Sequence, residues 1–216
     1  MIPSSNDRGM SEFIFNGPKT SAITLVLAHG AGGPMDSPFM ETIAKGVARA
    51  GGIRVARFEF PYMRRRRESG KGGAPDAGPA LMQSWRETIE KLRGGESLVI
   101  GGKSLGGRIA TMVADECGVR GLLCLGYPFH PPGKPDKTRT QHLEKLRTPA
   151  LILQGTRDTF GKPEEVEKYK LSGTIRVEWL EDGDHSFKPR AKSGRTEAEN
   201  LEAAIAYVAE FIATLW

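Results

Sequence analysis

The chain has 216 residues, 26% of them charged and 38% hydrophobic, with a formal net charge of +5. That length suits one domain spanning residues 1–216 with a core on two faces and is short for two, and no stretch approaches the roughly 20 consecutive apolar residues of a membrane span. The opening residues Met1 to Arg8 show no basic segment followed by an apolar one, and the two cysteines, Cys117 and Cys124, read as reduced packed thiols with no His or Cys at ligand spacing; a soluble cytoplasmic protein without disulfide, metal or organic cofactor is therefore expected.

In chain order, a strand-like run at residues 11–15 precedes the apolar strand 23–28, which opens into the glycine-rich loop His29-Gly30-Ala31-Gly32-Gly33-Pro34. A helical segment at 38–50 leads to a strand at 54–60, then to the basic stretch Tyr62-Met63-Arg64-Arg65-Arg66-Arg67, read as part of a glycine-rich connection. Helix 79–93 and the short strand 97–100 bring the chain to Gly101-Gly102-Lys103-Ser104-Leu105-Gly106-Gly107, followed by helix 104–116. Strand 121–125, a proline-rich return with a short helix over 127–148, and strand 150–153 come next, the last one running into a loop that carries Asp158. Helix 163–169, strand 175–180, the turn-forming cluster Glu181-Asp182-Gly183-Asp184-His185 and a final amphipathic helix at 196–215 complete the chain. Strands alternating with helices predict a mostly parallel, doubly wound sheet covered on both faces, a three-layer α/β/α sandwich.

Gly-x-Ser-x-Gly between a strand and a helix is the pattern of a nucleophile elbow, in which glycines two residues either side of Ser104 permit a strained turn that exposes the hydroxyl. A serine hydroxyl needs a base to take its proton and a carboxylate to orient that base. Of the four histidines, His29 precedes the serine, His130 has no reachable acid between it and Ser104, and His142 lies in a charged segment that reads as surface. His185 stands in a loop after a strand, and Asp158 stands in the loop after the strand before it. Parallel strands place their C-terminal ends on one edge, so Ser104, Asp158 and His185 can meet there. The oxyanion that forms on acyl attack requires backbone N–H donors; Leu105 is one candidate, with Ala31 first and Gly32 second for the other. The same loop could cradle phosphate, but it lacks the Gly-Lys-Ser/Thr ending that phosphate loops carry.

These residues carry a resemblance to α/β-hydrolases that runs from about residue 23 to the C-terminus. The chain is most similar to small uncapped members such as dienelactone-hydrolase-like proteins. The run from Leu25 to Gly32, with Phe58-Glu59-Phe60-Pro61-Tyr62 and the Ser104 motif, resembles a branch holding uncharacterised bacterial proteins and testis-expressed and acetyltransferase-complex subunits of animals. The resemblance implies an α/β-hydrolase fold, here without a sizeable lid, and a serine hydrolase acting on a small ester or thioester through an acyl-enzyme. Dienelactone hydrolases use a cysteine where this chain has Ser104, which argues against a dienelactone substrate. Some animal members of the branch are thought to be scaffolds, so the alternative is a non-catalytic protein that binds a protein partner through its open edge.

Met35, Tyr62, Phe129 and Phe187 are candidate walls of the acyl pocket, or ordinary core. Arg64, Arg65, Arg66 and Arg67 read as a solvated loop or as a subsite for a substrate carboxylate or phosphate, since arginine forks bind such groups bidentately. One short arginine run without stacking aromatics is weak support for nucleic-acid contact, so a small-molecule substrate, and no nucleic acid or membrane, is the expected partner. The oligomeric state is not legible.

Overall fold

The computed structural model describes residues 12–216; Met1 to Arg8, on which the leader expectation rests, and Ser11 of the first expected strand lie outside them. Seven strands form one sheet: β1 (Phe13–Asn16), β2 (Thr24–Ala28), β3 (Arg54–Phe58), β4 (Leu98–Lys103), β5 (Gly121–Leu125), β6 (Ala150–Gly155) and β7 (Ile175–Leu180). Their order is β1-β3-β2-β4-β5-β6-β7, and only β1 runs antiparallel, against β3.

Strand side chains alternate between faces, and here both faces are buried. Leu25 and Leu27 of β2 join Val99, Leu123 and Leu151 beneath helices α1 (Pro38–Gly51) and α6 (Glu197–Ala213). Val26 and Ala28 turn the other way and join Ile100, Leu122 and Ile152 beneath α3 (Gly78–Lys91) and α4 (Leu105–Cys117). This is why the central strands read as continuous apolar runs and the helices as stripes. Each core accordingly has a strand wall and a helix wall, with Ile43, Val47 and Val208 on one side and Trp85, Ile109 and Val113 on the other.

The chain passes from β2 to β3 on one side and to β4 on the other, so the loops after β2 and β4 diverge from neighbouring strands. Such a divergence leaves a crevice at the carboxyl ends of a parallel sheet. Between β5 and β6 the chain makes only a loop and a 3-10 turn (Gln141–Lys145), with no inserted lid. No helix among the described residues is long and apolar enough to cross a membrane.

One expectation fails outright. The arginine run is not a loop but helix α2 (Pro61–Ser69), started by Pro61 and closed by Gly70 in the left-handed region at φ 64°. The remaining short helix, α5 (Pro163–Val166), ends earlier than expected.

Candidate active site

Ser104 sits at the turn from β4 into α4 with φ 48° and ψ −108°, one of four non-glycine residues of positive φ among those described. Strain of this kind persists only where the surroundings impose it. They do so by close approach: a Cβ on Gly106 would lie 2.5 Å from the Ala28 carbonyl oxygen, and one on Gly107 would lie 2.6 Å from that of Gly102. The helix start is thereby pressed against the end of β2. The Ser104 N–H donates to Leu125 O at 3.0 Å, and its own carbonyl accepts from Arg108 N at 2.9 Å. Leu105 is the first residue of α4, where the N–H has no intrahelical acceptor, and no described residue accepts from it.

The acid and histidine loops follow β6 and β7, adjacent parallel strands. They touch at Gly155, where a Cβ would stand 2.3 Å from Gly183 O. His185 Nδ1 lies 2.7 Å from Asp158 Oδ2. Asp158 is fully buried, and its carboxylate also accepts from Gln154 Nε2 at 2.9 Å and from the Phe160 N–H at 2.9 Å. Gln154 is held in turn by the Tyr127 N–H, 2.7 Å from its Oε1. The carboxylate is thus placed by three donors, and the Phe160 ring leans on the imidazole with centroids 4.3 Å apart.

Asp182 and Asp184 stand closest to His185 in sequence, yet neither carboxylate is hydrogen-bonded to its ring. Asp182 forms an ion pair with Arg190, which holds its carboxyl down at about 2, and Asp184 accepts from the N–H groups of Ser186 and Lys188. Asn200 of α6, fully buried, clamps the loop by donating to Glu181 O at 3.0 Å and Phe187 O at 2.8 Å. Gln154 and Asn200 escape sequence reasoning, although a lone Gln ending the apolar run Ala150-Leu151-Ile152-Leu153 is a visible hint, because buried amides require partners.

A cavity of about 390 Å³ opens at the β2/β4 crevice, lined among others by Ala31, Gly32, Phe39, Met40, Ser104 and His185. Ser104 and His185 share it without a hydrogen bond between them; such bonds are often long until substrate is bound. Lys103 is the cavity's fixed cation. It donates to His185 O and lies 4.9 Å from the Phe39 ring centroid, and burial pulls its ammonium down to about 8, opposed by Asp158 and Asp184.

The other histidines are engaged elsewhere: His29 with Gly30 O and the Phe60 N–H, His130 with Glu165, and His142 with Thr111 Oγ1 at 2.9 Å. His142 is half-buried rather than an ordinary surface residue. Met35, Tyr62, Phe129 and Phe187 are all buried in the core and none lines the cavity; Phe39, Met40 and Phe160 supply its apolar wall. The arginines also lie outside it, because each finds a partner within the protein. Arg67 pairs with buried Glu59 and with Asp36, Arg65 with Asp76, Arg64 with Glu12 at 3.9 Å, and Arg66 donates to the carbonyls of Ala31 and Gly73.

Solved structures share this architecture. A lidless α/β serine hydrolase from Xanthomonas campestris superposes with a TM-score of 0.65 at 20% identity, covering 92% of this chain and 87% of that one. A dienelactone hydrolase from Anabaena variabilis gives 0.69 at 18% identity, with 94% and 90% covered. The esterase domain of a Rhodothermus marinus protein gives 0.61 at 16%, with 91% of each covered. At these identities the likeness speaks to the fold. The sequence itself matches the family model described as "Alpha/beta hydrolase domain" over residues 21–213, and the chain belongs to that family.

Proposed function

We propose that the protein is a serine hydrolase that cleaves a small ester or thioester through an acyl-enzyme intermediate. The observation that carries this reading is the 2.7 Å contact of His185 Nδ1 with the buried Asp158 carboxylate, beside a cavity that also holds the strained Ser104 turn. Ser104 Oγ attacks the acyl carbon while His185 Nε2 takes its proton, and Asp158 keeps the other ring proton on Nδ1 and stabilises the imidazolium. The carbonyl oxygen becomes an oxyanion held by the Leu105 N–H and that of Ala31 or Gly32. Collapse expels the alcohol or thiol with the proton from His185, and water then repeats the sequence to release the acid and restore Ser104. No step calls for a metal or organic cofactor. The modest apolar cavity and the absence of an inserted lid between β5 and β6 favour short acyl groups, and the esterase domain and serine hydrolase among the structural neighbours fit the same substrate class.

The test is turnover of short-chain nitrophenyl esters and acyl thioesters by the wild type and by Ser104→Ala. Hydrolysis by the wild type that disappears in the correctly folded variant is expected. A folded wild type that turns over no member of the panel would favour the non-catalytic scaffold instead.

A further inference from the structure

Among the described residues, one side chain of the arginine run, Arg66, has no carboxylate partner, and it reaches the loop proposed above to bind the oxyanion. Tyr62 and Arg66 stand four residues apart in α2 and so share one helix face. Tyr62 Oη donates to Gly30 O at 3.2 Å, and Arg66 Nη1 donates to Ala31 O at 2.9 Å. The Arg66 guanidinium lies over the Tyr62 ring, 5.0 Å from its centroid, so the two side chains brace each other.

A third group meets the loop from inside. His29 Nδ1 is 2.7 Å from Gly30 O, and the Phe60 N–H points at His29 Nε2 from 3.1 Å. A backbone N–H can only donate, so Nε2 is the acceptor and the ring proton sits on Nδ1, where it donates to Gly30 O. Burial lowers the pKa of His29 and favours this neutral form. His29 is fully buried, Tyr62 nearly so, and neither takes part in the proton transfers proposed for Ser104 and His185.

In a trans peptide the carbonyl and the following N–H point in opposite directions. Holding Gly30 O therefore fixes where the Ala31 N–H points, and holding Ala31 O fixes the Gly32 N–H. No described residue accepts from either N–H, and both residues line the cavity. Without such anchors, a loop containing Gly30, Gly32 and Gly33 could rotate these peptides at little steric cost.

Resting on the serine hydrolase reading, we propose that Arg66 and Tyr62 of α2, with His29, are positioning residues that preset the oxyanion-binding peptides of the loop after β2. The run Phe60-Pro61-Tyr62 to Arg66 then serves the chemistry through the backbone it holds, without touching substrate. Presetting matters because donors aimed in advance at the developing charge need no reorganisation during reaction.

The experiment compares wild type, Tyr62→Phe, Arg66→Met and Arg66→Lys in kcat and KM on one short-chain ester. It also measures the inhibition constant of a trifluoromethyl ketone, which forms a tetrahedral adduct with the serine. Misplacing one oxyanion donor should lower kcat by about 10-fold to 100-fold, somewhat less than deleting it, while KM changes little. The ketone should weaken in parallel with kcat/KM, because only interactions made in the transition state are lost. Arg66→Lys, which keeps a cationic donor, should recover most of the Arg66→Met loss. Variants that keep wild-type kcat and ketone affinity while the wild type is active overturn the positioning role alone, as does a loss seen only in thermal stability or only in KM. A folded wild type that neither turns over the ester nor binds the ketone overturns the hydrolase reading and this inference with it.

Discussion

Asp158 is selected over its two rivals by what each carboxylate already holds. Asp182 and Asp184 are committed to Arg190 and to backbone N–H groups, whereas Asp158 faces His185 with its remaining acceptor capacity. Asp158→Asn should leave the fold intact and reduce ester turnover by about 10⁴-fold, by holding the imidazole in the wrong tautomer; activity within a few-fold of wild type would show that another acid does this work. Lys103 offers a second check, on stability. Burial, against the opposing pull of Asp158 and Asp184, brings its ammonium from 10.5 to about 8. Between those values the unfolded chain binds more protons than the folded one, so this group makes stability rise with pH through that window. Chemical denaturation should find wild-type stability rising relative to that of Lys103→Met as pH goes from about 8 to 10.5; a difference independent of pH would contradict the burial of a charged ammonium. At this scale chain order and topology were enough to anticipate that Ser104 and His185 lie together, and they line one cavity. It was opaque where only packing distinguishes cavity wall from core, which is why Phe39, Met40 and Phe160 were missed in favour of four buried side chains.

Elements were legible in proportion to their apolar periodicity. β5 and β7 coincide with the expected runs: β5, buried throughout, reads as an unbroken apolar segment, and β7, a half-buried edge strand, as an alternating one. Helix α2 was missed because four consecutive arginines carry no such period; what places it is burial of Tyr62 and Met63 and ion pairs at Arg67 and Arg65. Pro61 at its start and Gly70 past its end were the available signals. The junction of β4 and α4 carries the sharpest structural demand. Gly106→Ala would drive a methyl to 2.5 Å from Ala28 O and 2.7 Å from His29 O, both backbone atoms that cannot rotate away. A loss of about 3 kcal/mol or more is expected in denaturant titrations, together with displacement of Ser104 and loss of turnover. Wild-type stability and activity in this variant would mean that α4 does not press on β2 as described.

At the scale of the molecule, alternating strands and helices sufficed to anticipate a mostly parallel sheet covered on both faces, since few topologies satisfy that order. The convergence of three separate loops on one edge was foreseeable from the same rule. The internal pairing of the arginines was not, because Glu12, Asp36, Glu59 and Asp76 are scattered along the chain and meet α2 only after folding. What unites residues, elements and sheet is the claim that Ser104 is an activated nucleophile. Intact-mass and peptide-mapping mass spectrometry after treatment with a fluorophosphonate tests that claim most directly. A single adduct on Ser104 is expected, absent in Ser104→Ala and much slower to form in Asp158→Asn. A folded protein that takes up no phosphonate, or takes it up at a different serine, would contradict it.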